Sequence, residues 1–511
     1  MRKVLLWGRG APLSFLLSAL LVGGLRAAGL LQGSEWWAYD RFLRSLPMPT
    51  EEPRVTVVGI TETDVNTYRY PIDDRTLARA LENILASNPR GVGIVLLRDL
   101  PVPPGNAKLR ALLAKSPPLV GSTFIGGIEN ESIPPPPTLP EQQVGAVDLI
   151  GDGDGVLRRT QLYPGGTPAM GLKLALNYLA AEGIVDRASP NGWLQLGDLE
   201  VVPLRPNSGP YSKAQTPGTQ IFLPYQGLEK RFTTISLQQA IEGNFDPAIF
   251  QGRVVLLGPT AASIDAGFFT PYTRDLTRIS PPKMAGVFIH AQVAAGLLEA
   301  VLGDRQLLRV FPDPLEYFWI FAIGGIQFGA LLFWREAKLQ FALPGFALNA
   351  LALSGATWAI ARYAFTVGWW IPVAPPLAIV WICALTGTIG NLISRLLNYQ
   401  QQLQRHLIEQ EQTAVLGELA SSLGHEIRGS LNQILQEASV LRFLFEYSIP
   451  SLAEVDAASA DNALQITELN VQHIDTMLQA ILNPNVEGIT VLNPLVDEVC
   501  TVIAHHFNAR E

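Results

Sequence analysis

Four long apolar runs limit this chain more than any other feature of its sequence. They occupy residues 11–31, 316–334, 341–361 and 367–393. About 20 apolar residues let a helix cross a bilayer, and in lipid only helices or closed barrels satisfy their own backbone groups. Each run is therefore expected to be a transmembrane helix. The charged share of only 16% agrees with membrane residence. Trp319, Trp334, Trp369 and Trp370 stand at the run ends, in the pattern of interfacial aromatic belts. Arg2, Lys3 and Arg9 precede the first run, Arg335 and Lys338 fill the turn after the second, and Arg395 follows the fourth. Positive charge marks the cytoplasmic side. Residues 1–10 are thus expected inside, 32–315 outside and everything after 393 inside, with Arg362, in the turn between the third and fourth runs, the exception to the charge rule. A cleaved signal peptide is the competing reading of 11–31. The length of that run favours an uncleaved anchor, and the carboxyl end lies inside on either reading.

Between 32 and 315 nothing is apolar enough to cross a membrane. Short β-type runs alternate with helical ones: strands near 55–60, 91–97 and 254–258, and an amphipathic helix near 76–86. That alternation predicts a mixed α/β domain. The proline clusters at 101–104 and 134–137 read as exposed loops. The cysteines, Cys383 in an apolar run and Cys500 near the end, exclude a disulfide framework and offer no zinc-ligand spacing. The net charge, 37 − 45 = −8, gives no reason to expect nucleic acid as a partner.

Several pieces of the exported segment carry a resemblance. They are Trp37-Ala38-Tyr39-Asp40-Arg41, Val57-Val58-Gly59-Ile60-Thr61, Tyr70-Pro71-Ile72-Asp73, the run from Asp152-Gly153-Asp154 through Val156-Leu157-Arg158-Arg159, and Gly286-Val287-Phe288-Ile289-His290-Ala291. Together they resemble the second class of the CHASE sensory domain, an extracytoplasmic module of bacterial receptors. The resemblance covers nearly all of 32–315. Val95 departs from it, since related chains often place Asp there.

Three motifs in this segment have plain readings. Gly151-Asp152-Gly153-Asp154-Gly155 lacks the later acidic ligands of a calcium loop and reads as a Gly/Asp turn. His290 has no second ligand at metal spacing and reads as a structural histidine. Asp73-Asp74 reads as the acidic start of the following helix.

Past the fourth run, residues 395–415 are polar, Gln-rich and helical by propensity, and read as a signalling helix with His406 on a solvated face. Residues 416–484 read as a helical hairpin. Leu416, Ala420, Leu423, Ile427, Leu431, Ile434, Ala438 and Leu441 step by three and four along its first helix. Leu464, Val471, Ile474, Leu478 and Ile481 do so along its second, which Asn483-Pro484-Asn485 ends. Two apolar faces are best buried by pairing with a second copy, giving a dimeric four-helix bundle. His425 lies off the apolar stripe, next to Glu426. His473 on the second helix reads as surface.

The stretch around His425-Glu426 resembles the phosphoacceptor box of sensor histidine kinases. The resemblance implies His425 as the residue that takes the γ-phosphate of ATP and Glu426 as its general base. The chemistry suits those residue types: a neutral imidazole has one bare nitrogen, and a carboxylate on the opposite N–H raises its nucleophilicity. The family usually has Asn or Thr and then Pro four and five residues after the histidine, where this chain has Gly429 and Ser430. Residues 485–511 resemble the opening of the family's ATP-binding domain without its nucleotide boxes. ATP and Mg²⁺ are thus implied as cofactors whose binding residues this chain does not supply, and no metal site is expected. His505 and His506 are too isolated to form one.

The expected protein is a multi-domain, multi-pass protein of the bacterial inner membrane. An α/β sensor lies outside and an all-α phosphoacceptor hairpin inside. Its implied partners are a second copy, a response regulator and a separate ATP-binding subunit. The alternative is a non-catalytic receptor that serves only as a dimerisation partner.

Overall fold

The computed structural model describes residues 2–126, 131–212, 214, 216, 218–274, 282–303, 305–334, 337–448 and 454–482, with side chains described except at 2–14, 339, 441, 444–448, 454–460, 464 and 477–482. Arg335, the loop at 449–453, Cys500, His505, His506 and the expected start of an ATP-binding domain at 485–511 lie outside the described residues. The chain forms two compact units, Met1–Asn391 and Leu392–Glu511.

The first unit is built on a six-stranded parallel sheet. In chain order its strands are β1 (Glu52–Ile60), β2 (Gly91–Ile94), β3 (Leu119–Thr123), β4 (Val144–Ala146), β5 (Phe232–Ser236) and β6 (Val254–Pro259). Their spatial order is β5-β1-β6-β2-β3-β4. Every neighbouring pair runs parallel. Parallel strands are buried on both faces. Accordingly Val55, Val57, Val254 and Leu256 pack on one side, while Val58, Ile60, Val255 and Leu257 pack on the other.

Helices cover both faces. On one side lie α4 (Asp74–Leu85), α5 (Asn106–Lys115) and α7 (Leu237–Glu242), through Leu77, Leu81, Ile84, Leu109, Leu113 and Leu237. On the other lie α6 (Met170–Ala181) and α8 (Gly286–Leu302). A Cβ on Gly171 would sit 2.6 Å from the His290 carbonyl oxygen, so a glycine here lets α6 and α8 approach. The short helix α3 (Glu62–Tyr68) follows β1 behind a capping box made by Thr61 and Asp64.

The apolar runs become helices with adjusted limits. Helix α1 spans Arg2–Ala27, and α2 (Gln32–Arg44) follows at a bend of 77°. Helices α9 (Asp313–Trp334), α10 (Leu339–Thr366) and α11 (Ala374–Ser448) follow in order. Among the described residues three helices are long and apolar enough to cross a membrane, and the bent α1–α2 pair makes a fourth if it counts as one span. Phe318 and Phe333 on α9 and Leu348 on α10 are about 70% exposed or more, which suits surfaces that face lipid.

The run at 367–393 is not helical from its start. Trp369–Trp370 form a short parallel pairing with Arg309–Val310, and the helix begins only at Ala374, after Pro372. Proline disfavours a helical conformation in the residue before it. Trp370 consequently belongs to no interfacial belt: it is 1% exposed and packs against Tyr39, Phe42 and Phe365.

The second unit is a hairpin of the distal part of α11 and α12 (Glu454–Leu482). Its described core is Leu431, Leu435 and Val471. An ion pair of Arg428 Nε with Asp475 Oδ1, at 2.9 Å, joins the two helices.

Candidate functional site

His425 and Glu426 are both exposed on α11. They border one shallow depression with Glu418, Ser421 and Ser422. Ser422 and Ser421 stand three and four residues before His425, and so share its face of the helix. Among the described residues no hydrogen bond joins His425 to Glu426, and adjacent positions on a helix diverge by about 100°. The hairpin buries Gly424, Leu431 and Ala438 and leaves Leu416, Leu419, Leu423, Ile427 and Ile434 between 40% and 65% exposed. Four of the eight positions of the apolar stripe read from the sequence, Leu416, Leu423, Ile427 and Ile434, are thus uncovered in one copy of the chain. At 429–430 the helix continues unbroken, with Ser430 Oγ donating to the Glu426 carbonyl at 3.1 Å. His406 is exposed beside Glu409, and His473 is half-buried.

The first unit holds the densest set of charges. Arg158 has a side chain 1% exposed and uses all five of its donors. Nε and Nη2 reach the two carboxylate oxygens of Asp40 at 2.7 and 2.9 Å. Nη1 and Nη2 reach Asp154 at 2.9 Å each, and Nη1 also reaches Asp152 at 3.2 Å. The guanidinium lies over the Trp36 ring, 5.0 Å from its centroid. Arg159 Nε pairs with Asp152 at 2.9 Å, the Tyr211 hydroxyl donates to Asp152 at 3.1 Å, and Arg274 pairs with Asp154.

Burial alone would lower the Arg158 pKa, but its hydrogen bonds to Asp40 and Asp154 outweigh burial and hold it above the usual value. Burial raises Asp152 against the pull of Arg159 and Arg158. Asp154 is less buried, and its bonds to Arg158 carry it below the usual carboxylate range despite desolvation. The Gly/Asp run read as a plain turn is thus the anchor of a buried ion network.

The CHASE2 domain family matches residues 17–329, more than half of the chain. The chain belongs to the CHASE2 family. No curated protein and no solved structure matches it. Within the CHASE2 domain, Arg158 and Asp40, 118 residues apart, fasten α2 to the sheet domain. CHASE2 is a sensory domain, and its presence points to a signalling receptor.

At the edge of the CHASE2 domain, Glu35 of α2 is 2% exposed. Its Oε1 accepts from the backbone N–H groups of Val373 and Ala374, at 2.8 and 2.5 Å, where α11 begins. Arg26 pairs with the buried Glu316 of α9. Val95 follows β2, donates its N–H to Leu257 O at 2.7 Å and packs half-buried against the apolar core, so it contributes no carboxylate. Among the described residues no group of three or more His, Cys, Asp or Glu is placed to hold a metal.

His290 of the CHASE2 domain is 3% exposed, and burial drives its pKa down to about 4 against the opposing hydrogen bond with the Val147 backbone. The unfolded chain therefore binds a proton here at a higher pH than the folded chain. The stability due to neutral His290 is complete above pH ~6.5 and falls by about 3 kcal/mol as the pH drops toward 4. Melting temperatures between pH 7 and 4 should fall more steeply for the native chain than for His290→Gln. Equal slopes would assign the pH dependence to other groups.

Proposed function

We propose that this CHASE2 receptor is a membrane sensor of the histidine kinase type, with His425 as its phosphoacceptor. The observation that carries the reading is an exposed imidazole beside a carboxylate, on a helix whose neighbouring apolar face is left uncovered. In this reading the sheet-bearing part of the CHASE2 domain, between α1 and α9, lies outside the inner membrane, and α9, α10 and the start of α11 cross it. Residues beyond 393 are cytoplasmic.

MgATP, held by an ATP-binding domain, supplies the phosphoryl group. The described residues offer no cluster to bind that metal, so the steps below concern only this chain's own groups. The bare nitrogen of neutral His425 takes the γ-phosphoryl group while the bond to ADP breaks. Glu426, turning toward the ring within their common depression, holds the proton on the other nitrogen and offsets the imidazolium charge. The phosphoryl group then passes to an aspartate of a cytoplasmic response regulator. The test is to supply the full chain, in detergent, with a separate histidine-kinase ATP-binding domain and radiolabelled ATP. Uptake of acid-labile, alkali-stable phosphate supports the reading, and its absence with an active added domain refutes it.

A second copy of the chain covers the exposed stripe, in a four-helix bundle. Burying one isoleucine contributes about 1.5–3 kcal/mol, or about tenfold to a hundredfold in association. Ile427→Asp should weaken dimerisation by at least that factor in sedimentation measurements, while helix content stays unchanged. An unaltered dimer constant would place the interface elsewhere.

The unbroken helix through Gly429 and Ser430 favours a second reading. The proline that usually bends the family's helix there is missing. In this reading the chain is a non-catalytic dimerisation partner. Signalling by heterodimers that is indifferent to His425→Gln would select it.

A further inference from the structure

Asp74, Arg98 and Thr138 each bury a polar side-chain atom that has no partner among the described residues: Asp74 Oδ1, Arg98 Nε and Thr138 Oγ1. All three line one partly open cavity of about 80 Å³, which Asp99, Arg110, Leu109 and Pro136 also border. The larger cavity of about 340 Å³ beside Tyr39, Arg305 and Gly368 is lined by no such atom among the described residues. An unpaired buried polar atom is destabilising, and more so when charged, so three around one small space call for a common explanation.

The cavity is built by the fold. Asp74, Arg98 and Thr138 follow the ends of β1, β2 and β3, and the segments past the carboxyl ends of parallel strands are where open α/β sheets bind ligands. Asp73 caps α4 through the N–H groups of Arg75 and Thr76, whereas Asp74 turns inward and is 1% exposed. Asp74 Oδ2 accepts from Val102 N and Asn106 Nδ2, at 3.1 and 3.2 Å. Gly105, at φ +107°, lets the loop lie against α4, since a Cβ there would meet Arg75 N at 2.4 Å. Arg98 is 7% exposed and donates through Nη2 to the Ile72 carbonyl at 2.6 Å. Burial lowers its pKa, with Asp74 the first opposing influence.

Arg98 and Asp74 carry opposite charges yet form no ion pair with each other or with any other described residue. The ligand that complements both charges best brings a carboxylate for Arg98 and an ammonium for Asp74. At ~30 Å³ per water, the space equals about three waters, or one molecule of about five non-hydrogen atoms. We infer that this cavity binds a small zwitterionic amino acid of the size of glycine or alanine, its carboxylate on Arg98 and its ammonium on Asp74, with the Thr138 hydroxyl between them. This deepens the sensor reading and does not depend on His425.

The test is calorimetric titration of the full chain in detergent micelles with glycine and L-alanine, beside acetate and methylamine as single-charge probes. Saturable binding of either amino acid is expected, with both probes at least tenfold weaker. Arg98→Gln and Asp74→Asn should each weaken binding tenfold or more. Thr138→Val, which preserves size, should weaken it severalfold and decides the matter if a charge variant fails to fold. No binding, acetate binding as tight as glycine, or variants with native affinity would overturn the assignment. Binding is read without phosphotransfer, so failure here leaves the phosphoacceptor reading standing, and the converse also holds.

Discussion

Replacing His425 with Gln should abolish phosphate uptake completely, while the fold is preserved. The side chain is exposed, and glutamine is a good helix former, so helix content and melting temperature should match the native chain. The amide has no bare ring nitrogen to attack phosphorus. Glu426→Gln keeps shape and exposure but removes the carboxylate, and general-base assistance is typically worth about 10²–10⁴-fold. The rate of labelling should fall within that range while the final extent is approached. Label persisting in His425→Gln would move the acceptor, with His406 and His473 next to be tested. An unchanged rate in Glu426→Gln would assign the base to another group, Glu418 being the other carboxylate beside the depression.

The second large effect is expected far from that helix. Arg158→Met should destabilise the CHASE2 domain by about 3–5 kcal/mol, the cost of breaking one side of a buried ion network. Asp152 and Asp154 keep Arg159 and Arg274, but Asp40 loses the only ion-pair partner it has among the described residues. Domain stabilities run from about 5 to 15 kcal/mol, so the loss is a large fraction of the total. At about 2–4 °C per kcal/mol for a domain of this size, the melting temperature should drop by about 6–20 °C. Arg158→Lys keeps the charge but cannot reproduce the two forked contacts, and should fall between. A melting temperature within about 2 °C of native for Arg158→Met would show that the network contributes little.

Parts of this architecture are legible in the sequence because they obey local rules. Strands β2 and β6 are short, fully apolar runs, and β1 ends in one at Val57–Ile60, as both-sided burial in a parallel sheet demands. Helix α4 is legible from its period and from Asp73 at its start. Strands β3, β4 and β5 are not, since Leu119–Thr123, Val144–Ala146 and Phe232–Ser236 mix small and hydroxyl residues in brief segments. The ion network escapes spacing arguments because Asp40, Asp152 and Arg274 meet across more than a hundred residues of chain. Its signal is Arg158-Arg159 directly after the apolar Val156-Leu157, two charges where burial is expected. At 73–74 the sequence shows two equal acids, and only the packing of the 101–105 loop separates a helix cap from a cavity wall.

Glu35 has a mechanical consequence. One carboxylate oxygen of α2 receives the N–H groups of Val373 and Ala374, at the first turn of α11. Two donors converging on a single atom behave as a pin: sliding along the axis stretches both bonds together, whereas twisting about that point strains neither much. A displacement of α2 would therefore reach the first turn of α11 as torque rather than as a push along its axis.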